Sequence, residues 1–127
     1  MKTIPDLPNE EWRAVQGFDG KYLVSNLGRI KSLKHLKARI LHTFINNKGY
    51  ERVALSRDGI SRHFLVSRLV AQAFCPNPDP DNATTVDHID HNTRNNRADN
   101  LRWLSLHDNT TDNKKRRVKD NDKSNCI

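Results

Sequence analysis

The stretch TTVDHIDHNTRNNRADNLRWLSLHDN, residues 84–109, decides the fold that we predict for this chain. It opens with a short run that predicts a strand ending at the pair Asp87-His88, and a polar loop rich in Asn and Asp follows over 91–100. The apolar residues of 101–104 predict a second strand. Two short strands joined by a long polar loop are therefore expected.

A helix is predicted to follow the second strand. Ser105 and Asp108 match the Ser/Thr-x-x-Asp/Glu capping box, so the helix should begin at Leu106. Asn109 then lies one turn into the helix, and its amide oxygen is a hard neutral metal ligand. The start of a helix also attracts phosphate through its unpaired N–H groups and its dipole. This helix can present an oxygen ligand and a favourable field to one phosphate.

Asp87 and His88 are adjacent, which in a regular strand would direct their side chains to opposite faces. Both can serve one site only where the strand ends and the backbone leaves the pleat, and the Asn-rich loop favours such an end. A surface salt bridge is the alternative for this pair. Asn100 can donate and accept hydrogen bonds, so it is suited to close the loop and fix the position of His88. An ordinary turn cap is the alternative for Asn100.

The residues before this stretch predict antiparallel strands and one helix. Asp-Gly pairs at 19–20 and 58–59 suit turns that need a positive φ. Apolar residues at helical spacing from Val66 to Phe74 predict a helix that ends before a Pro-rich connection. We expect strands over 12–15, 21–25, 29–33, 40–45, 50–56 and 61–65.

The charge of the chain favours a polyanionic partner. The 127 residues include 22 Lys and Arg against 15 Asp and Glu, a formal net charge of +7. Each phosphate that such residues neutralise releases condensed counterions, which favours binding. A solvated face that only keeps the protein soluble is the alternative that charge leaves open. The basic residues are concentrated in two runs, which are Arg29, Lys31, Lys34, Lys37, Arg39 and then Lys114, Lys115, Arg116, Arg117, Lys119.

Several classes of protein are excluded by features that the sequence lacks. The first residues contain no apolar segment of the signal-peptide kind, and no run approaches the roughly 20 apolar residues of a membrane span. Cys75 and Cys126 form no Cys-x-x-Cys pair, which excludes a structural zinc site of the paired-cysteine type. We expect a cytoplasmic protein, a monomer, that contacts no membrane and uses no small-molecule cofactor.

The second half of the chain resembles the HNH endonucleases, and among them the homing endonucleases carried by phages and introns, which have a ββα-metal fold. The segments that carry this resemblance are Val86-Asp87-His88-Ile89-Asp90, Asn95-Asn96-Arg97, Asp99-Asn100-Leu101-Arg102-Trp103 and His107-Asp108-Asn109. The first half is similar to a modular DNA-binding motif that often accompanies such nucleases. The segments that carry this second resemblance are Glu11-Trp12-Arg13, Gly17-Phe18-Asp19-Gly20 and Val24-Ser25-Asn26-Leu27-Gly28-Arg29-Ile30-Lys31-Ser32.

These resemblances imply an α+β fold, with an N-terminal antiparallel β meander followed by a ββα-metal HNH nuclease module. The expected divisions are a β-rich DNA-binding module over 8–58, the nuclease module over 59–113 and a basic C-terminal tail over 114–127. The implied activity is metal-dependent hydrolysis of phosphodiester bonds in double-stranded DNA, in a bacterial or phage-infected cell. A nickase, a nuclease without site preference and a DNA-binding module without catalysis remain open.

The resemblance also implies a role for each site residue. Asp87 and Asn109 match the metal ligands, which would hold one Mg²⁺ or Mn²⁺ ion, and His88 matches the general base. Asn100 matches the residue that braces the loop. His107 is a candidate for contact with phosphate or assistance to the leaving group, and a plain surface histidine is its alternative.

Basic side chains are the candidate DNA contacts, and an ordinary salt bridge is the alternative for Arg97 and Arg102. They are Arg29, Lys31, Lys34, Arg97 and Arg102. His91 departs from the family pattern, because this position is usually Gly in the homing branch. If the turn needs a positive φ, His is among the better-tolerated replacements, and it can also compete with His88 as base or ligand.

Overall fold

A computed structural model of the chain describes residues 6–108. The predicted metal ligand Asn109 and the predicted basic tail over 114–127 lie outside the described residues. The other predicted elements and site residues lie inside them.

The N-terminal meander is confirmed as a four-stranded antiparallel sheet. Its strands, in sheet order, are β1 (Trp12–Ala14), β2 (Tyr22–Ser25), β3 (Ile30–Ser32) and β4 (Arg39–Ile40). The turn between β1 and β2 has positive φ at Asp19 (53°) and Gly20 (75°), as the Asp-Gly pair predicts.

A second antiparallel sheet contains β5 (Phe44–Ile45), β6 (Glu51–Arg57) and β7 (Ile60–Leu65), in that order. The predicted single strand over 40–45 is wrong. Its ends belong to different sheets, because β4 pairs with β3 and β5 pairs with β6. A run of suitable residues shows that a segment is extended, but the pattern does not show where its partner strand changes.

The predicted helix and the final strand pair are confirmed. The helix α1 (Val66–Phe74) is followed by β8 (Thr85–His88) and β9 (Leu101–Leu104), which pair antiparallel. Residues 106–108 are helical, and the backbone N–H of Asp108 donates to Ser105 Oγ at 3.0 Å. This hydrogen bond is the helix start that the Ser105 capping pattern predicts.

One apolar cluster joins these elements. The buried stripe of α1 packs among residues from both sheets and from β9, and Val24, Val53 and Leu101 are all fully buried within it. Burial of such a side chain contributes roughly 1.5–3 kcal/mol relative to an exposed one. The predicted boundary between residues 58 and 59 falls in the turn between the paired strands β6 and β7. The two predicted modules therefore share a sheet and a core.

His91 adopts the left-handed conformation, with a φ of 69°, in a turn closed by its N–H donating to the carbonyl oxygen of His88 at 3.0 Å. A side chain in this region strains the backbone, whereas Gly adopts it readily. We expect His91→Gly to raise the free energy of unfolding by about 0.5–1 kcal/mol in urea titrations. The control His63→Gly, within strand β7, should lower stability instead. A less stable His91→Gly protein would contradict the assigned strain.

Candidate functional site

The candidate site lies at the end of β8, where the strand gives way to a turn at residues 89–90. Asp87 and His88 are the last residues of this strand, and each is only 4% exposed. Their side chains have different partners. Asp87 contacts the neighbouring strand β9, and His88 contacts Asn96 in the loop and lies beside Tyr50, which precedes β6.

Asp87 forms a buried ion pair with Arg102. The two residues face each other across β8 and β9, and Arg102 Nε donates to Asp87 Oδ2 at 2.9 Å. The side chain of Asp87 is 4% exposed and that of Arg102 is 13% exposed. The salt-bridge alternative therefore describes the contact that Arg102 makes in this structure, and its contact with DNA stays a prediction. A buried carboxylate needs a compensating charge, and the register of β8 and β9 places the guanidinium of Arg102 opposite Asp87.

His88 belongs to a chain of side-chain hydrogen bonds that the sequence did not reveal. Its Nε2 lies 2.7 Å from Oδ1 of Asn96, which is itself only 4% exposed. Asn96 Nδ2 donates to Glu51 Oε1 at 2.8 Å, and Thr43 Oγ1 donates to the other carboxylate oxygen at 2.5 Å. Tyr50 lies beside the imidazole, with ring centroids 6.0 Å apart. The ring is thus held firmly, and a role as general base requires water to reach a side chain that is buried here.

Asn100 closes the loop by contacting three of its groups. Its Oδ1 accepts the N–H of Asp90 at 3.0 Å, while its Nδ2 donates to Asp90 Oδ1 and to the carbonyl oxygen of Asn95, both at 2.9 Å. Its backbone carbonyl also accepts the N–H of Ile89 at 2.8 Å. These contacts fit the brace implied for Asn100, because they join the two ends of the loop that follows His88.

Asp90 organises the same loop, although sequence reasoning gave it no role. One carboxylate oxygen accepts the N–H of Asn92 at 2.8 Å, and the other accepts Asn95 Nδ2 at 2.8 Å. Burial raises the pKa of Asp90, but the hydrogen bonds from Asn95, Asn92 and Asn100, together with the charge of nearby His88, outweigh it and lower the pKa. The carboxylate form of Asp90 therefore stabilises the loop.

The predicted basic contacts near β3 have partners inside the protein. Arg29 pairs with Glu10, Lys31 Nζ lies 4.0 Å from the centroid of the Trp12 ring, and Lys34 Nζ donates to Ser56 Oγ at 2.7 Å. Each of the three residues therefore has a partner within the protein, and their contact with DNA stays a prediction. Their long side chains reach Glu10 before β1, Trp12 in β1 and Ser56 in β6.

The remaining predicted residues are exposed. Arg97 has a side chain 54% exposed, with its Nε 3.7 Å from Asp99 Oδ1. His107 lies on the exposed start of the final helical segment. A surface ion pair of this geometry contributes little, so Arg97 can exchange Asp99 for a phosphate at small cost.

The Glu10–Arg29 pair makes stability depend on pH. Burial raises the pKa of Glu10, but hydrogen bonds from Arg29, the Leu7 N–H and Ser25, together with the Arg29 charge, lower it to about 2 from 4.5. A depressed folded-state pKa stabilises the protein above about pH 4.5, and this contribution disappears as the pH falls towards 2. We expect wild type to lose roughly 2–3 kcal/mol more than Glu10→Gln between pH 6 and pH 2.5.

Chemical unfolding of both proteins across this pH range measures the effect. Glu11→Gln, which neutralises an exposed neighbour, is the matched control and should follow wild type. Parallel pH curves for wild type and Glu10→Gln would contradict the assignment.

The described donors fit a metal ion only in part. Within residues 6–108, no group of three or more His, Cys, Asp or Glu side chains is arranged to hold one. Asp87 offers a carboxylate, but one of its oxygens accepts from Arg102. Mg²⁺ usually keeps several waters and takes one or two protein carboxylates, so a site built on Asp87 fits if the ion and Arg102 share that side chain. None of the helices in the described part of the chain is long and apolar enough to cross a membrane.

Two family models match the two halves of this fold. Residues 64–111, which contain α1, β8 and β9, match the HNH endonuclease family, and residues 10–56 match the NUMOD4 motif. Residues 64–111 therefore form a segment similar to HNH endonucleases, and a NUMOD4 motif precedes it over residues 10–56. The resemblance inferred from the sequence is therefore confirmed.

Individual relatives support the same conclusion. The chain is 39% identical over 95 residues to DNA endonuclease I-HmuI of Bacillus phage SP01, which covers 75% of this chain and 52% of that protein. It is 36% identical over 104 residues to an uncharacterized HNH endonuclease of Acanthamoeba polyphaga mimivirus, covering 80% of this chain and 25% of the relative. The chain thus spans about half the length of I-HmuI and a quarter of the viral protein.

A solved structure is also similar. It is described as DNA binding and cleavage by the HNH homing endonuclease I-HmuI, and it aligns with a TM-score of 0.76 at 36% identity. The alignment covers 85% of this chain and 60% of that one. The α+β fold, with an antiparallel N-terminal part followed by the HNH module, is therefore confirmed.

Proposed function

We propose that this chain is a metal-dependent DNA endonuclease of the homing type that hydrolyses phosphodiester bonds. The observation that carries the proposal is the placement of Asp87 and His88 together at the end of β8, within the segment that matches the HNH endonuclease family. I-HmuI, a relative described as binding and cleaving DNA, supports the substrate class. The net charge of +7 favours the same polyanion.

The proposed reaction assigns one task to each side chain. His88 takes a proton from the attacking water, and Asn100 holds the loop that keeps His88 in place. Asp87 and Asn109 would hold a single Mg²⁺ or Mn²⁺ ion. When bound, such an ion stabilises charge that develops on the phosphate and on the leaving oxygen.

The contacts to DNA are proposed to come from exposed groups near the loop. Arg97 can bind a backbone phosphate, and His107 can contact the phosphate or assist the leaving group. Arg29, Lys31 and Lys34 contribute to the positive field, but their described contacts favour a structural part. The 8–58 and 59–113 divisions remain our proposal for DNA binding and cleavage, respectively. The proposed substrate is double-stranded DNA. The protein is proposed to act as a monomer in the cytoplasm of a bacterial or phage-infected cell.

The burial of His88 sets a condition on this mechanism. A base must lie within hydrogen-bond reach of the proton that it removes, directly or through one water. Because the ring is 4% exposed, binding of DNA must admit a water molecule to it. Hydrogen bonds at catalytic sites commonly rearrange when substrate binds, so the free protein need not show the reactive geometry.

Incubation with supercoiled plasmid tests the proposal directly. We expect conversion with Mg²⁺ or Mn²⁺ and no conversion with excess EDTA, because the reaction depends on a divalent ion. Nicked circles alone indicate a nickase, and early linear product indicates cleavage of both strands. Mapping the cut sites on long DNA separates a site-specific enzyme from a nuclease without site preference. DNA binding without any product under either ion would overturn the enzyme proposal in favour of a binding module.

A further inference from the structure

A buried line of hydrogen bonds connects the proposed base with the N-terminal half of the chain. It runs from His88 Nε2 to Asn96 Oδ1, and from Asn96 Nδ2 to Glu51 Oε1, with distances of 2.7 and 2.8 Å. Glu51 begins strand β6 and lies in the segment that matches the NUMOD4 motif, whereas Asn96 and His88 lie in the HNH segment. The contact therefore crosses between the two matched segments.

The carboxylate of Glu51 determines which atoms donate and which accept along this line of hydrogen bonds. A carboxylate can only accept hydrogen bonds, and the Thr43 hydroxyl already donates to its other oxygen. Asn96 must therefore turn its NH₂ group to Glu51, which directs its carbonyl oxygen to the imidazole. Because an amide oxygen only accepts, the hydrogen between Asn96 and the ring belongs to His88 Nε2.

We propose that Glu51 and Asn96 are positioning residues that hold neutral His88 as the Nε2–H tautomer. A neutral imidazole has one N–H and one nitrogen with a lone pair, so Nδ1 is then the atom that takes the proton from water. This inference rests on the proposed function for its catalytic meaning. The tautomer itself can be measured without any cleavage.

The position of Asn96 is fixed by more than its own side chain. Gly28, in the turn before β3, has a φ of 92°, and a Cβ there would meet the Asn96 carbonyl oxygen at 3.2 Å. The N–H of Ala98 donates to the carbonyl oxygen of Asn26 at 2.8 Å. β6 and this turn both contact the segment around Asn96. The two N-terminal sheets therefore help to position the candidate site, in addition to the DNA contact proposed for them.

Nitrogen-15 NMR of the histidine rings in the full chain, without metal and at a pH where imidazole is neutral, tests the tautomer. We expect His88 Nε2 to show the shift of a protonated nitrogen and Nδ1 that of an unprotonated one. In Glu51→Gln, the new amide can also donate, so Asn96 is free to reverse and the Nδ1–H form should become populated. Glu11→Gln, the same chemical change at an exposed position, should leave the wild-type pattern unchanged.

A double substitution exchanges the carboxylate and the amide between positions 51 and 96 and is expected to keep the His88 tautomer. In Glu51→Gln with Asn96→Asp, the glutamine donates to the new carboxylate, which in turn only accepts from His88. This protein should return to the Nε2–H tautomer. A merely structural contact would not produce this recovery.

Cleavage kinetics give the second readout. We expect Glu51→Gln to lower kcat by about 10- to 100-fold with little change in KM, and the double variant to recover most of the loss. A wild-type protein with the Nδ1–H tautomer, or a Glu51→Gln protein with unchanged tautomer and kcat, overturns the inference. If wild type has the Nε2–H tautomer but cuts no DNA, the proposed function fails while the positioning of the ring stands.

Discussion

Replacement of His88 with alanine is expected to reduce the rate of DNA cleavage by about 10²- to 10⁴-fold, the range typical for loss of a general base. The His88 side chain forms a hydrogen bond with Asn96, and both residues lie in the segment that matches the HNH endonuclease family. Among the described histidines, His88 alone ends a strand beside a buried carboxylate. Single-turnover conversion of supercoiled plasmid, with protein in excess, measures the chemical step without product release. DNA binding measured at one fixed salt concentration should change little.

The controls separate loss of a base from loss of the fold. His88 is buried, so its removal also leaves a cavity, and unfolding curves must show that the variant is folded under the assay conditions. Added imidazole can occupy such a cavity and restore part of the rate if a base is what was lost. His63→Ala, at an exposed position of β7, is the matched control and should cut at the wild-type rate. Cleavage by a folded His88→Ala protein at near wild-type speed would remove the assignment.

His91 bears on the same experiment because it is the alternative base. It follows the turn after β8 and is exposed, but it is held in a left-handed conformation by its place in that turn. If His91 were the base, His91→Gly would lose cleavage while gaining stability, and His88→Ala would keep its activity. The two substitutions therefore discriminate between the histidines.

Patterns within one element were sufficient to predict much of this fold. The Asp-Gly pair at 58–59 marks a turn whose residues have φ values of 55° and 79°, and the apolar spacing from Val66 to Phe74 marks α1. Ser105 and Asp108 form the predicted helix start. Each of these depends on residues a few positions apart, where backbone preference and side-chain geometry act directly.

Partnerships between distant residues could not be predicted in this way. The segment over 40–45 is extended as expected, but it changes partner strand between β4 and β5. Glu51 contacts Asn96 across 45 positions of sequence, and no local pattern marks it as part of the site. Lys34 is an exposed cation, but the hydrogen bond from its ammonium group to Ser56, 22 positions away, is not marked by any local pattern.

The candidate site shows the same division. Asp87, His88 and Asn100 were predicted from a single motif, and the structure places Asp87 and His88 at the end of β8 and Asn100 directly before β9. The pairing of Asp87 with Arg102 follows from the register of those strands, which the sequence left open. A metal-binding carboxylate and a DNA-binding arginine were predicted separately, and the structure brings the two side chains together as one ion pair.

Replacement of Arg102 with glutamine is expected to separate the two roles of Asp87, which are its ion pair with Arg102 and its proposed binding of a metal ion. Without a divalent ion, the variant should lose about 3 kcal/mol of unfolding free energy, because loss of one partner leaves a buried carboxylate without that compensating charge. With Mg²⁺ or Mn²⁺, the variant should regain more stability than wild type, because the ion no longer competes with the guanidinium. We expect an approximately tenfold tighter apparent Kd, equivalent to about 1.4 kcal/mol.

Thermal unfolding at a series of ion concentrations measures both effects, since a ligand that binds only the folded state raises Tm with its concentration. The matched control is Asp87→Asn combined with Arg102→Gln, which removes both charges and should show no ion-dependent rise in Tm. Arg97→Gln, which neutralises an exposed arginine, should retain the wild-type ion response. If Arg102→Gln weakens the response to the ion, Arg102 orients Asp87 for the metal and does not compete with it, and the expected order of affinities is reversed.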